Sequence, residues 1–91
     1  MVGLVLVNVV EEVARFTLDE MLTRMDGVCA CEVCKTDMLA IALNHLTPHY
    51  SSRPDGQAYS KAGMQFDQAR VDLIRELTRA IWIVHENCKH A

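Results

Sequence analysis

Apolar residues recur along this chain at helical spacing, separated by short polar breaks. From Asn8 to Met25, the residues Val9, Val10, Val13, Phe16, Met21, Leu22 and Met25 stand mostly at three- and four-residue steps, and Glu11, Glu12, Asp19 and Glu20 hold the polar side. That is the period of an amphipathic helix. The apolar set is broader than one stripe, so the helix has surface for a core and for a second contact. Asn8 and Glu11 have capping-box spacing, with Asn in place of the usual Ser or Thr. Leu4 to Val7 suits a strand by its β-branched content and an early helix by its position. Asp26-Gly27 breaks the first helix.

A second helix is predicted from about Cys31 to Leu46. Its middle, Met38-Leu39-Ala40-Ile41-Ala42-Leu43, has almost no polar face, which predicts a buried central helix. Asn44 is the polar exception, expected to be buried and to bond backbone or reach across an interface. Thr47-Pro48 ends the helix, because the residue before proline avoids helical geometry. Thr47 to Gln57 reads as a loop, with Ser51-Ser52 and the turn signal Pro54-Asp55-Gly56. A short helical piece follows around Tyr59 to Met64, weakened by Gly63. The last helix spans about Phe66 to Cys88. Phe66, Leu73, Leu77, Ala80, Ile81, Val84 and Cys88 share one face, while Trp82 and Ile83 point elsewhere. Arg70, Arg75 and Arg79 form a basic stripe. The architecture expected is all-α: a small bundle of about three long helices plus one short helix, forming a single domain over residues 1–91.

The chain has 91 residues, 51% of them hydrophobic, and a net charge of -3. So small a domain has a thin core and leans on a metal, a disulfide or a partner subunit. The apolar excess points to a face buried against another chain. The acidic balance argues against direct nucleic-acid binding, which needs a basic patch. No segment approaches the ~18 to 20 apolar residues that span a bilayer. The N-terminal apolar run lacks the basic region of a signal peptide. These features read as a cytoplasmic protein, without a membrane role.

Three of the four cysteines, Cys29, Cys31 and Cys34, fall within six residues at the mouth of the apolar second helix. In a reducing compartment such clustering favours a metal over a disulfide. Tetrahedral zinc takes four soft ligands with sulfur ~2.3 Å from the ion. Cys31 and Cys34 face one side of a helix start, Cys29 approaches from the loop, and Cys88 is the remote fourth thiol. A four-cysteine zinc site of this kind joins the central helix to the C-terminus. The helix N-terminus and Lys35 supply positive charge that favours thiolates. Three other readings use the same residues: buried thiols acting as small hydrophobes, a disulfide from Cys88 to one of the cluster, and an iron–sulfur cluster, whose usual spacings differ. His85 and His90 flank Cys88 and are substitute fourth ligands.

The chain has no phosphate-binding glycine loop and no dinucleotide fingerprint. Asp37 and His45 share the second helix without a nucleophile at useful spacing. A three-cysteine site with an open position would activate water as a zinc hydrolase does, but the His-x-Glu of zinc deaminases is missing. The residues therefore favour a non-enzymatic protein.

Taken together, Leu6-Val7-Asn8 with Glu11 or Glu12, Cys29-x-Cys31-x-x-Cys34 running into Asp37-Met38-Leu39-Ala40-Ile41-Ala42-Leu43-Asn44, Leu46-x-Pro48-x-Tyr50 and Ala58-Tyr59-Ser60-Lys61 resemble the late competence development protein ComFB family over nearly the whole chain. Thr47 stands where members commonly have Pro. The resemblance implies a small all-α homodimer with a structural zinc on Cys29, Cys31, Cys34 and Cys88. It implies a regulatory or adaptor role in competence or motility, through a protein partner the sequence does not name. Cyanobacterial relatives, which often lack the cysteine cluster, are described as receptors for cyclic dinucleotides (c-di-GMP or c-di-AMP). The residues available here for such a ligand are Tyr50, Arg53, Arg70, Arg75 and Arg79. A two-fold interface built largely from the first two helices is expected.

Overall fold

The computed structural model describes residues 6–52 and 68–88. Among them the chain is mostly helical: β1 (Val7–Asn8), α1 (Val9–Thr23), α2 (Glu32–Leu43), β2 (Tyr50–Ser51) and α3 (Gln68–Glu86). The short helix expected around Tyr59 to Met64, and Phe66, lie outside the described residues. The helices carry the fold, as the all-α reading expects, and a small antiparallel ribbon is added to them, in which Val7 faces Ser51 and Asn8 faces Tyr50. This settles Val7 as strand. Two-residue strands carry too little pattern for period-two alternation to be read locally.

Asn8 is the joint between ribbon and helix. Its side-chain oxygen accepts the Val10 N–H at 3.2 Å, capping α1, and the His49 N–H at 3.0 Å from 41 residues away. The Val9 N–H in turn donates to the His49 carbonyl at 2.7 Å. The Glu11 half of the expected capping box is absent, because Glu11 pairs with Arg15 at 3.1 Å instead. Asn8→Ala removes a cap and a tether together. We expect it to lower stability by about 1–2 kcal/mol, measured as a fall in the urea midpoint at constant m-value.

Gly27 sits at φ +80 in the connection from α1 to α2, a conformation that glycine adopts without a Cβ penalty. α2 packs against both other helices, most extensively against α3, so the expectation of a central helix holds. The core joins Ala14, Leu18 and Leu22 of α1, Met38, Leu39 and Ala42 of α2, and Leu73, Leu77, Ala80, Ile81 and Val84 of α3. The predicted stripe on the last helix is therefore the buried one. Small residues at Ala14, Ala42 and Ala80 leave room for close helix approach.

Three details of burial depart from expectation. Asn44 is exposed and caps the C-terminus of α2, its N–H reaching the Ala40 carbonyl at 3.2 Å. The last helical residue is Leu43, ahead of Thr47-Pro48, because the chain tightens there. The His45 N–H bonds the Ala42 carbonyl at 3.0 Å, and the His45 ring bonds the Ile41 carbonyl at 2.9 Å. Phe16 is 67% exposed on α1 and lies outside the core. The middle of α2 is not wholly buried either: Ala40 faces solvent, as does Val33 in the first turn.

Candidate metal centre

α2 begins at the cysteines for a local reason. Cys31 is its N-cap in extended backbone (φ -73, ψ 166), and its Sγ accepts the Cys34 N–H at 3.5 Å. The Lys35 N–H bonds the Cys31 carbonyl at 2.9 Å and closes the first turn. Sulfur thus fills the role that a Ser or Asp oxygen usually plays. The turn carries Cys34 inward, to 2% exposure, with Cys29 half-buried in the preceding loop. Cys88 comes from the far end of the chain. It lies four residues after buried Val84, just beyond α3, so the core-facing stripe of α3 delivers it over the start of α2.

The thiols of Cys29, Cys34 and Cys88 lie within 4.8 Å of one another. A tetrahedron of sulfurs ~2.3 Å from a metal has edges of about 3.8 Å. The Cys34 and Cys88 sulfurs are 3.8 Å apart. The group therefore has the spacing and donor chemistry to hold a metal ion. Cys31 adjoins it: the Cys34 thiol interacts with Cys29, Cys88 and Cys31. Burial, then the hydrogen bonds to Cys29, Cys88 and Cys31, push the Cys34 thiol well above its ordinary range. Without a cation the site holds its proton, and a bound cation reverses that preference.

The charge around the site differs from the sequence reading. The Lys35 ammonium bonds Asp19 of α1 at 3.0 Å and also meets Glu32 at 3.6 Å. The Asp19 carboxylate is the main reason that the Lys35 pKa is raised. Its charge is thus matched by acids and ties α1 to α2, which leaves the α2 N-terminus as the positive end nearest the thiols. His85 is exposed and packs edge-on against Trp82 at 5.6 Å, apart from the cysteine group. His90 lies outside the described residues.

Among the described residues considered for a cyclic dinucleotide, Arg75 and Arg79 are already paired with acids. Arg75 pairs with Asp72 at 3.2 Å and Glu76 at 3.7 Å, and Arg79 meets Glu76 at 3.9 Å. Arg70 is half-buried at the start of α3, Tyr50 is exposed on β2, and Arg53 lies outside the described residues. The stripe is largely a self-compensated helix face.

The family model described as late competence development protein ComFB matches residues 7–88. The chain belongs to the ComFB family. It is 32% identical over 82 residues to the competence protein ComFB of Bacillus subtilis (strain 168), covering 90% of this chain and 84% of that protein. It is also similar to a solved structure of the late competence protein ComFB from Bacillus subtilis. The TM-score is 0.77 at 32% identity, with 90% of this chain and 92% of that chain covered. The matched span takes in all four cysteines. Among the described residues, no helix of this ComFB-family chain is long and apolar enough to cross a membrane.

Two features of the site escaped the sequence reading. The Asp19–Lys35 pair joins residues on different helices, and no local spacing signals it. An apolar groove beside the cysteines, between α2 and α3, was foreshadowed only by the missing polar face of α2.

Proposed function

We propose that this ComFB-family chain is a non-enzymatic, zinc-holding homodimer that acts as a regulator or adaptor in competence. The observation that carries the metal reading is the sulfur geometry: a buried Cys34 with Cys88 at the edge length of a tetrahedral thiolate site. Cys29, Cys31, Cys34 and Cys88 are the ligands, with Cys31 turning from its cap position to complete the set. Zinc supplies cross-linking of α2 to the end of α3 rather than reactivity. Four thiolates fill a tetrahedral ion and leave no position for water, which speaks against a hydrolase. Native mass spectrometry of protein purified without added metal tests the proposal. The expected species is two chains with one zinc each. A monomer without metal contradicts it.

Self-association draws on the second apolar surface of α1, where Phe16 is the most exposed large residue. A single exposed aromatic is ordinary on its own; Phe16 supports the dimer together with the apolar excess of so small a chain. Sedimentation velocity at tens of micromolar should give a dimer, and Phe16→Glu should give a zinc-loaded monomer. A wild-type monomer at that concentration counts against the dimer. A cyclic dinucleotide receptor has less support, because Arg75 and Arg79 already face acids on their own helix.

A further inference from the structure

α2 presents to solvent a stripe that a water-facing helix would normally make polar. Val33, Asp37, Ala40 and Ile41 follow one another at helical steps, and only Asp37 is charged. Val33 is 61% exposed. Opposite them, Ile83 and Val84 of α3 form the other wall of a groove of about 680 Å3, and Cys34 and Cys88 close one end. Among the described residues no lysine or arginine lines it. Asp37 makes no ion pair among the described residues. From Val33 to Ile41 the α2 wall runs ~12 Å, the length of about two turns of a partner helix.

We propose that this groove docks a basic amphipathic helix of another protein. Its apolar stripe lies on Ala40, Ile41, Ile83 and Val84, and a lysine or arginine reaches Asp37 and the thiolate end. The charge argument rests in part on the zinc reading above, because four thiolates on one zinc leave the centre at about -2. That charge and Asp37 make the groove anionic, so it selects a cation and repels phosphates. The same charge speaks against a second copy as the occupant. A two-fold contact here would set Asp37 and the thiolate centre against their own duplicates, and like charges juxtaposed cost affinity. The dimer surface on α1 and the partner groove between α2 and α3 are therefore separate.

The test uses the zinc-loaded full chain and two fluorescent helical peptides, each with leucine at three- and four-residue steps. One has lysine on its flanks, the other glutamate. Fluorescence anisotropy near physiological salt should show the basic peptide binding at least about tenfold tighter than the acidic one. Asp37→Asn should weaken the basic peptide severalfold. Ala40→Glu should abolish its binding with zinc content, helicity and dimer mass unchanged. If Ala40→Glu fails to fold, Val33→Glu, at an exposed position beside the thiol end of the groove, replaces it. Equal affinity for the two peptides overturns the proposal, as does unchanged binding by Asp37→Asn and the glutamate variant. Conversion of the dimer to monomer by Ala40→Glu overturns it in favour of a second copy. Zinc measured on the same samples separates the two readings. Zinc-loaded protein indifferent to both peptides defeats the groove alone, and zinc-free protein that still prefers the basic peptide through Asp37 defeats the metal alone.

Discussion

Cys34→Ser should cost the protein its metal and, with it, most of its cooperative fold. Cys34 is 2% exposed, touches the other cluster thiols and sits among the core residues of α2. A domain of this size holds only about 5–15 kcal/mol of net stability, toward the lower end for so thin a core. Structural zinc binding in small peptides is worth roughly 10–16 kcal/mol at neutral pH. If the centre contributes even half of that, its loss is comparable to the whole stability. We therefore expect bound zinc to fall from about one equivalent to below about a tenth. The helical circular-dichroism signal should lose its sharp thermal transition, and a strong chelator should do the same to the unaltered chain. Chelated protein that melts within a few degrees of the zinc-loaded form would show the cysteines to be packing groups only.

The second large effect separates Cys88 from its histidine neighbours. Cys88→Ser should weaken zinc binding by more than about 100-fold, since loss of even an outer-shell partner of a metal ligand costs 10- to 100-fold. It should also loosen the end of α3, seen as faster amide exchange around Val84. His85→Ala should leave zinc affinity unchanged, because the ring packs on Trp82 and not on the thiols. His90→Ala is expected to behave likewise. Competition against a chromogenic chelator gives all three affinities. Zinc retained by Cys88→Ser but lost on His90→Ala would reassign the fourth ligand.

What could be read from the sequence was what local spacing controls. Asn8 caps α1 as its position suggested, Gly27 breaks the chain, and the stripe from Leu73 to Val84 is the one that α3 buries. Continuing that stripe by one turn to Cys88 was enough to bring the remote thiol toward the cluster. Contacts made at a distance were not legible. The Asn8–His49 tether and the β1–β2 ribbon join segments about forty residues apart, without a repeat to announce them. α2 is apolar nearly all round, so its pattern could not say which side another helix would cover, and Asn44 could not be placed. Its acid partners hid the true state of Lys35 for the same reason: Asp19 lies on another helix. Phe16 could not be assigned to core or surface, because a broad stripe does not say where the core ends.

The central claim is that four thiolates of one chain enclose one zinc. X-ray absorption at the zinc edge, on protein loaded with one equivalent, measures this directly. Four sulfur scatterers at ~2.3 Å and no light-atom shell near ~2.0 Å is the predicted result. A shell with one or two nitrogens or oxygens in place of sulfur would contradict it.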